Sequence, residues 1–151
     1  MKLAEALILR SDLQKRLEQI KNRLNQNILI QEGDDPSENP EKLLKEYTSL
    51  QNELTEIIKA INKTNYHTKF DDKKTLSDAL VKRDALLAKR NMLSEVADVA
   101  SQKQARYSRS EIKYVSTVDV KKLQKEIDSL SKAFRELDTA IQGMNWQIDL
   151  L

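Results

Sequence analysis

Cysteine is absent from this chain of 151 residues, which excludes disulfides, thiolate metal sites and cysteine nucleophiles together. Its absence is compatible with a reducing compartment, and a cytoplasmic location is expected. Glycine and proline occur twice each, so few residues are available for tight turns. Aromatic residues make up 5%, and a core has to be assembled mostly from Leu and Ile. No run approaches the roughly 18 apolar residues of a membrane span. The opening "MKLAEALILRSD" places Glu5 inside its apolar stretch and reaches Arg10 too early for a secretory signal.

Charged residues are plentiful at 33%, and with Leu, Lys, Glu, Asp, Ile, Ala and Gln prominent this is the composition of long helices joined by few loops. The length suits a single helical domain, 1–151. The net charge of +2 is too small to imply a polyanion partner, yet it is unevenly spread. From Glu32 to Glu56, Glu32, Asp34, Asp35, Glu38, Glu41, Glu46, Glu53 and Glu56 stand against Lys42 and Lys45 alone. From Lys82 to Lys113, Lys82, Arg83, Lys89, Arg90, Lys103, Arg106, Arg109 and Lys113 stand against Asp84, Glu95, Asp98 and Glu111. Attraction within the chain or between subunits accounts for this more simply than nucleic acid does.

Apolar spacing predicts four helices. The first runs from about Leu3 to Asn27, with Leu3, Ala6, Leu13, Leu17, Ile20 and Leu24 on one stripe and Arg10 in register with them. After "QEGDDPSENP", Asn39 caps a second helix and Pro40 takes its first position. Its stripe is Leu43, Tyr47, Leu50, Leu54, Ile57 and Ile61, and the polar run "INKTN" is expected to end it near Asn65. Thr75 and Asp78 have capping-box spacing for a third helix, from Leu76 to about Arg106. In "YSRSEIKYVSTVD" the β-branched and aromatic residues predict an extended segment, with Ser116 and Asp119 as a further capping box. The fourth helix carries a heptad seam through Val120, Leu123, Ile127, Leu130, Phe134, Leu137, Ile141, Met144, Ile148 and Leu151, weakened locally by Gly143. The fold class is therefore all-α: long antiparallel amphipathic helices, coiled-coil-like, as an up-down-up-down four-helix bundle or paired helical hairpins. Helices this long with few aromatics bury little surface alone, so a homo-oligomer is expected.

These landmarks in order, "KLAEAL" with "DLQKRL", "QEGDDP", "INKTN", "TLSDAL" with Arg83 and Asp84, "RYSRSEIKYVSTVDV" and "RELDTAIQGMNWQIDLL", span nearly the whole chain. In that order and spacing they resemble a bacterial family of helical proteins labelled septicolysin. The resemblance implies a helical fold, and the label implies a haemolysin or pore-forming toxin. It carries no catalytic residues onto this sequence.

Little chemistry stands out. His67 is the only histidine and reads as a loop residue, since a metal site needs several ligands. "QEGDDPSE" lacks the alternating ligands of a calcium loop, Asp71 and Asp72 sit beside Lys73 and Lys74, and "NKT" at Asn62 matches a glycosylation acceptor that an unsecreted chain would not use. No phosphate loop, nucleophile elbow or metal motif is present, so no enzyme, metal or cofactor is expected. Lys103, Arg106, Arg109 and Lys113 with Tyr107 and Tyr114 have the ingredients of a nucleic-acid contact, but pairing of this stretch with the acidic connection 28–39 explains it as well, and nucleic acid is not the expected partner. One polar cluster remains. In an up-down-up-down bundle Arg10, Asn62, Thr64, Asn65, Arg83, Asp84, Asn145 and Trp146 collect towards one end, with Arg10, Arg83 and Asn145 in one layer. That layer reads either as a network fixing helix register, with Asp84 and Asp149 among the partners of the arginines, or as a pocket for a small anion walled by Trp146. The function expected is a non-enzymatic interaction or scaffold protein that self-assembles, with an unidentified protein partner allowed. The alternatives are a pore-forming cytolysin, which alone would involve a membrane, and binding of a small anion.

Overall fold

Apolar residues spaced three and four apart stack on one side of a helix, and among the described residues this spacing becomes four helices: α1 (Leu3–Asn27), α2 (Pro40–His67), α3 (Leu76–Ala100) and α4 (Val120–Gln147). They are seen in a computed structural model that describes residues 1–102 and 112–151. Among the described residues there is no strand, only the isolated bridges Lys2 with Asp149 and Lys69 with Thr75. The fold class is all-α.

The chain divides into two compact units, Met1–Thr75 with Gln142–Leu151, and Leu76–Ile141. In the first, α1 and α2 form an antiparallel hairpin. Leu13, Leu17 and Ile20 of α1 and Leu43 and Leu50 of α2 are buried together, with Leu9, Leu24, Tyr47, Leu54 and Ile57 packed around them. Burying one such side chain fully contributes about 1.5–3 kcal/mol. α1 starts where the Glu5 carboxylate accepts the Lys2 backbone N–H at 2.6 Å. α2 starts as expected, with the Asn39 side chain accepting the Glu41 N–H at 2.9 Å and Pro40 behind it.

In the second unit, Leu93 and Ala97 of α3 are buried with Ile127 of α4, and Leu123 and Leu130 pack against them. Two ion pairs fix the direction: Lys89 meets Glu126 and Arg83 meets Asp138, so lower numbers on α3 face higher numbers on α4. The pair is antiparallel. Part of the predicted α4 seam is thus consumed inside the chain.

Three boundaries differ from the sequence expectation. α2 runs two residues past Asn65, because the Thr68 N–H still bonds to the Thr64 carbonyl at 2.9 Å before Thr68 turns extended. α3 ends at Ala100, where Ser101 and Gln102 close the last turn onto Ala97, Asp98 and Val99. The predicted continuation towards Arg106 enters residues outside the described set. Ahead of α4 the cap is Asp119, whose carboxylate accepts the Lys122 N–H at 3.2 Å. Ser116 instead forms a local turn, accepting the Val118 N–H and donating to the Val118 carbonyl.

Gly143 lies in α4, and a Cβ added there meets no atom within 4 Å. Gly143→Ala is therefore expected to stabilise the protein by about 1 kcal/mol through helix propensity. Thermal melting checks this, and a rise of roughly 2–4 °C is the expected size.

Candidate functional site

The polar run at the end of α2 is helix rather than a break. Thr64 is buried, its hydroxyl donates to the Ala60 carbonyl at 2.8 Å, and it accepts the Leu151 N–H at 2.9 Å. A threonine hydroxyl can satisfy a carbonyl one turn back and still accept a bond, which is how it ties residue 151 to α2. Asn62 is exposed and Asn65 half-buried. His67, also exposed, places Nδ1 at 2.8 Å from the Lys63 carbonyl and its ring edge-on to Tyr66.

Residues 1–3 and 147–151 come together in the same unit. The Leu3 N–H bonds to the Ile148 carbonyl and the Leu150 N–H to the Met1 carbonyl, each at 2.9 Å. Lys2 Nζ reaches Asp149 at 2.8 Å and the Gln147 carbonyl at 3.0 Å. The hydrogen bond from Lys2 holds the Asp149 carboxyl below its ordinary pKa. Asp149 is thus the partner of Lys2, a pairing the sequence reading did not make. Asn145 is buried with its amide towards Gln142 at 3.4 Å, Trp146 is exposed, and Arg10 is half-buried.

Arg83 and Asp84 belong to the second unit. The Arg83 guanidinium donates to Asp84 through Nε and Nη2, at 3.1 and 3.0 Å, and to Asp138 through Nη1 at 3.1 Å. Two carboxylates answer one guanidinium, so an anion arriving at Arg83 would compete with them for its positive charge. Asp138 went unnoticed in the sequence because its match with Arg83 depends on α3 and α4 lying antiparallel.

The connection between α1 and α2 is clamped at both ends. Arg23 holds Glu38 through Nε and Nη2, with Nε at 2.9 Å from one carboxylate oxygen. Buried Asn27 accepts the Glu38 N–H at 2.9 Å and donates to the Arg23 carbonyl at 2.8 Å. Between the clamps, the Asp34 N–H returns to the Gln31 carbonyl at 3.0 Å, and Gly33 has φ +90°, the left-handed conformation glycine adopts at the third position of a type II turn. Ile28, Leu29 and Ile30 are held out by this loop with their side chains exposed.

The hydrogen bond from Arg23 lowers the Glu38 pKa, and the same bond raises that of Arg23. A carboxylate with a lowered folded pKa contributes stability above its unfolded value of about 4.3 and loses it as pH falls through the folded value. Glu38→Gln is expected to leave a flatter acid limb than the parent below roughly pH 4.5. Melting temperatures taken down the pH series check this. The pair is solvent-accessible, so the difference should be modest.

In the second unit a groove of about 600 Å³ opens between the last turns of α3 and residues 114–118. Met92, Val96 and Val99, on one face of α3, form one wall, and Tyr114, Val115 and Val118 form the other. All six side chains are exposed. Residues 112–118 form no strand, though β-branched residues are frequent there. Of the basic stretch considered for nucleic acid, Lys103, Arg106, Tyr107 and Arg109 lie outside the described residues, whereas Lys113 and Tyr114 are exposed.

Asp71 acts as a turn former: one carboxylate oxygen accepts the Lys73 and Lys74 N–H groups, both at 2.8 Å. Among the described residues no three His, Asp or Glu side chains are grouped to hold a metal ion, and no helix is long and apolar enough to cross a membrane.

The model of a family of unknown function, DUF6847, matches residues 10–150. A crystal structure of a functionally unknown conserved protein from Corynebacterium diphtheriae is similar with a TM-score of 0.93 and 44% identity, over 100% of this chain and 99% of that one. No curated protein matches. Neither similarity bears the septicolysin label.

Proposed function

We propose that this chain, which belongs to the family of unknown function DUF6847, is a non-enzymatic helical interaction protein that associates with itself. The observation that carries the reading is the exposed apolar surface among the described residues, Met92, Val96 and Val99 on one face of α3 with Val115 and Val118 opposite them. Contiguous exposed apolar surface is unfavourable in water, and a soluble chain gains by covering it. The contact surface assigned here differs from the α4 seam, because Leu123, Ile127 and Leu130 are already packed against α3.

Sedimentation over a concentration series tests the proposal. The parent is expected to be larger than a monomer, and Val99→Asp to shift it towards the monomer without lowering its melting temperature, since Val99 is 63% exposed. A parent that stays monomeric throughout overturns self-association. Release of dye from liposomes by the purified protein would replace this reading with the pore-forming one.

A further inference from the structure

The loop that joins α1 to α2 carries two features at odds with a surface that meets only water. Ile28, Leu29 and Ile30 follow one another and are 57%, 88% and 49% exposed, and a run of exposed apolar residues lowers solubility unless it serves a contact. Directly behind them Glu32, Asp34 and Asp35 are exposed and, among the described residues, enter no ion pair. Like charges this close repel one another. The loop nevertheless has a fixed shape: Arg23 and Asn27 hold Glu38, the Asp34 N–H returns to the Gln31 carbonyl, and Gly33 takes the left-handed turn. A surface ordered before contact loses less entropy on binding.

We propose that this loop is a docking surface for a partner protein that offers an apolar recess bordered by lysine or arginine. The aliphatic triad fills the recess, and Glu32, Asp34 and Asp35 meet its rim. One partner of that chemistry relieves both unfavourable features at once: burial takes the triad out of water, and the basic rim neutralises the acids and orients the approach. Other occupants answer only one of the two. Nucleic acid and an anionic lipid surface present phosphates, which the three acids repel. A divalent cation needs its carboxylates grouped, and among the described residues no three His, Asp or Glu side chains are grouped to hold one. This contact is independent of self-association, whose proposed residues on α3 belong to the other unit.

The probe is a fluorescent amphipathic helical peptide of leucine and lysine, set against one of leucine and glutamate and one of serine and lysine, with anisotropy as the readout. The leucine–lysine peptide is expected to bind, more weakly as salt rises, and the other two to bind several-fold less. Leu29→Ser should weaken its binding by roughly tenfold or more. Glu32→Gln, Asp34→Asn and Asp35→Asn together should weaken it and flatten its salt dependence. Ile8→Ser, at an exposed aliphatic side chain elsewhere in the same unit, should leave it unchanged. All these side chains are exposed, so the melting temperatures should hold. No binding of the leucine–lysine peptide, equal binding of the leucine–glutamate peptide, or indifference to Leu29→Ser overturns the proposal. Binding to phosphatidylglycerol vesicles that Leu29→Ser abolishes overturns it in favour of a membrane, and loss of self-association in Leu29→Ser overturns it in favour of a second copy.

Discussion

Ile127→Asp is expected to destabilise the α3–α4 unit by roughly 3–5 kcal/mol, the cost of leaving a buried charge without a partner. Ile127 is 7% exposed and sits among Leu93, Ala97, Leu123 and Leu130, none of which can donate a hydrogen bond from its side chain. Lys89 of α3, which lies across from this part of α4, is already engaged with Glu126. A carboxylate at 127 must either stay charged in an apolar layer or take up a proton, and both states cost stability. Because domains of ordinary stability hold about 5–15 kcal/mol in all, much of the helical signal from this unit should be lost at lower denaturant concentration than in the parent. Circular dichroism against urea reads the effect. Ile127→Val is the control, with a cost of about 0.5–1.5 kcal/mol. A parent-like transition for Ile127→Asp would show that the layer is not closed to water.

Leu13→Ala is the second large expected effect, at about 2–5 kcal/mol. Leu13 is 0% exposed, within the cluster where Leu17 and Ile20 of α1 meet Leu43 and Leu50 of α2. Truncation removes the transferred methyl groups and leaves a void that two long helices, held at the turn by the Arg23–Glu38 clamp, close only in part. The melting temperature should fall by roughly 5–15 °C. Leu13→Met, which nearly conserves volume, should cost less than about 1.5 kcal/mol. A difference of that order between the two variants ties the loss to packing rather than to helix propensity, for which Ala is the more favourable residue.

The stripe Leu13, Leu17, Ile20 and the stripe Leu43, Leu50, Ile61 were legible because helix periodicity is a local property. Asn39 with Pro40 was legible for the same reason: a cap acts within one turn. Helix ends without glycine or proline were harder to read. Asn65 looks like a stop, yet Thr64 and Asn65 continue α2, since a hydroxyl that bonds back to Ala60 permits the helix that its residue type disfavours. The α3 end was misjudged because the residues that follow Ala100, from Ser101 to Arg106, include no glycine or proline to signal a stop.

The candidate site shows the same division. Arg83 with Asp84 was visible, being adjacent in sequence, whereas Asp138 becomes a partner only when α4 lies antiparallel to α3. Asp149 is a formal charge in the sequence, and its pairing with Lys2 follows from the meeting of chain segments 145 or more residues apart. Arg23, Asn27 and Glu38 gave no motif, because a loop clamp is made by three residues with no fixed spacing. By itself the sequence determined the all-α class, the number of helices, their buried stripes and the uneven distribution of charge, since each follows from periodicity or composition. Tertiary structure alone decided which charges are paired, that part of the α4 seam is spent on α3, and that Ile28–Ile30 stay exposed. Burial is a property of what packs against a side chain, and no local pattern encodes that partner.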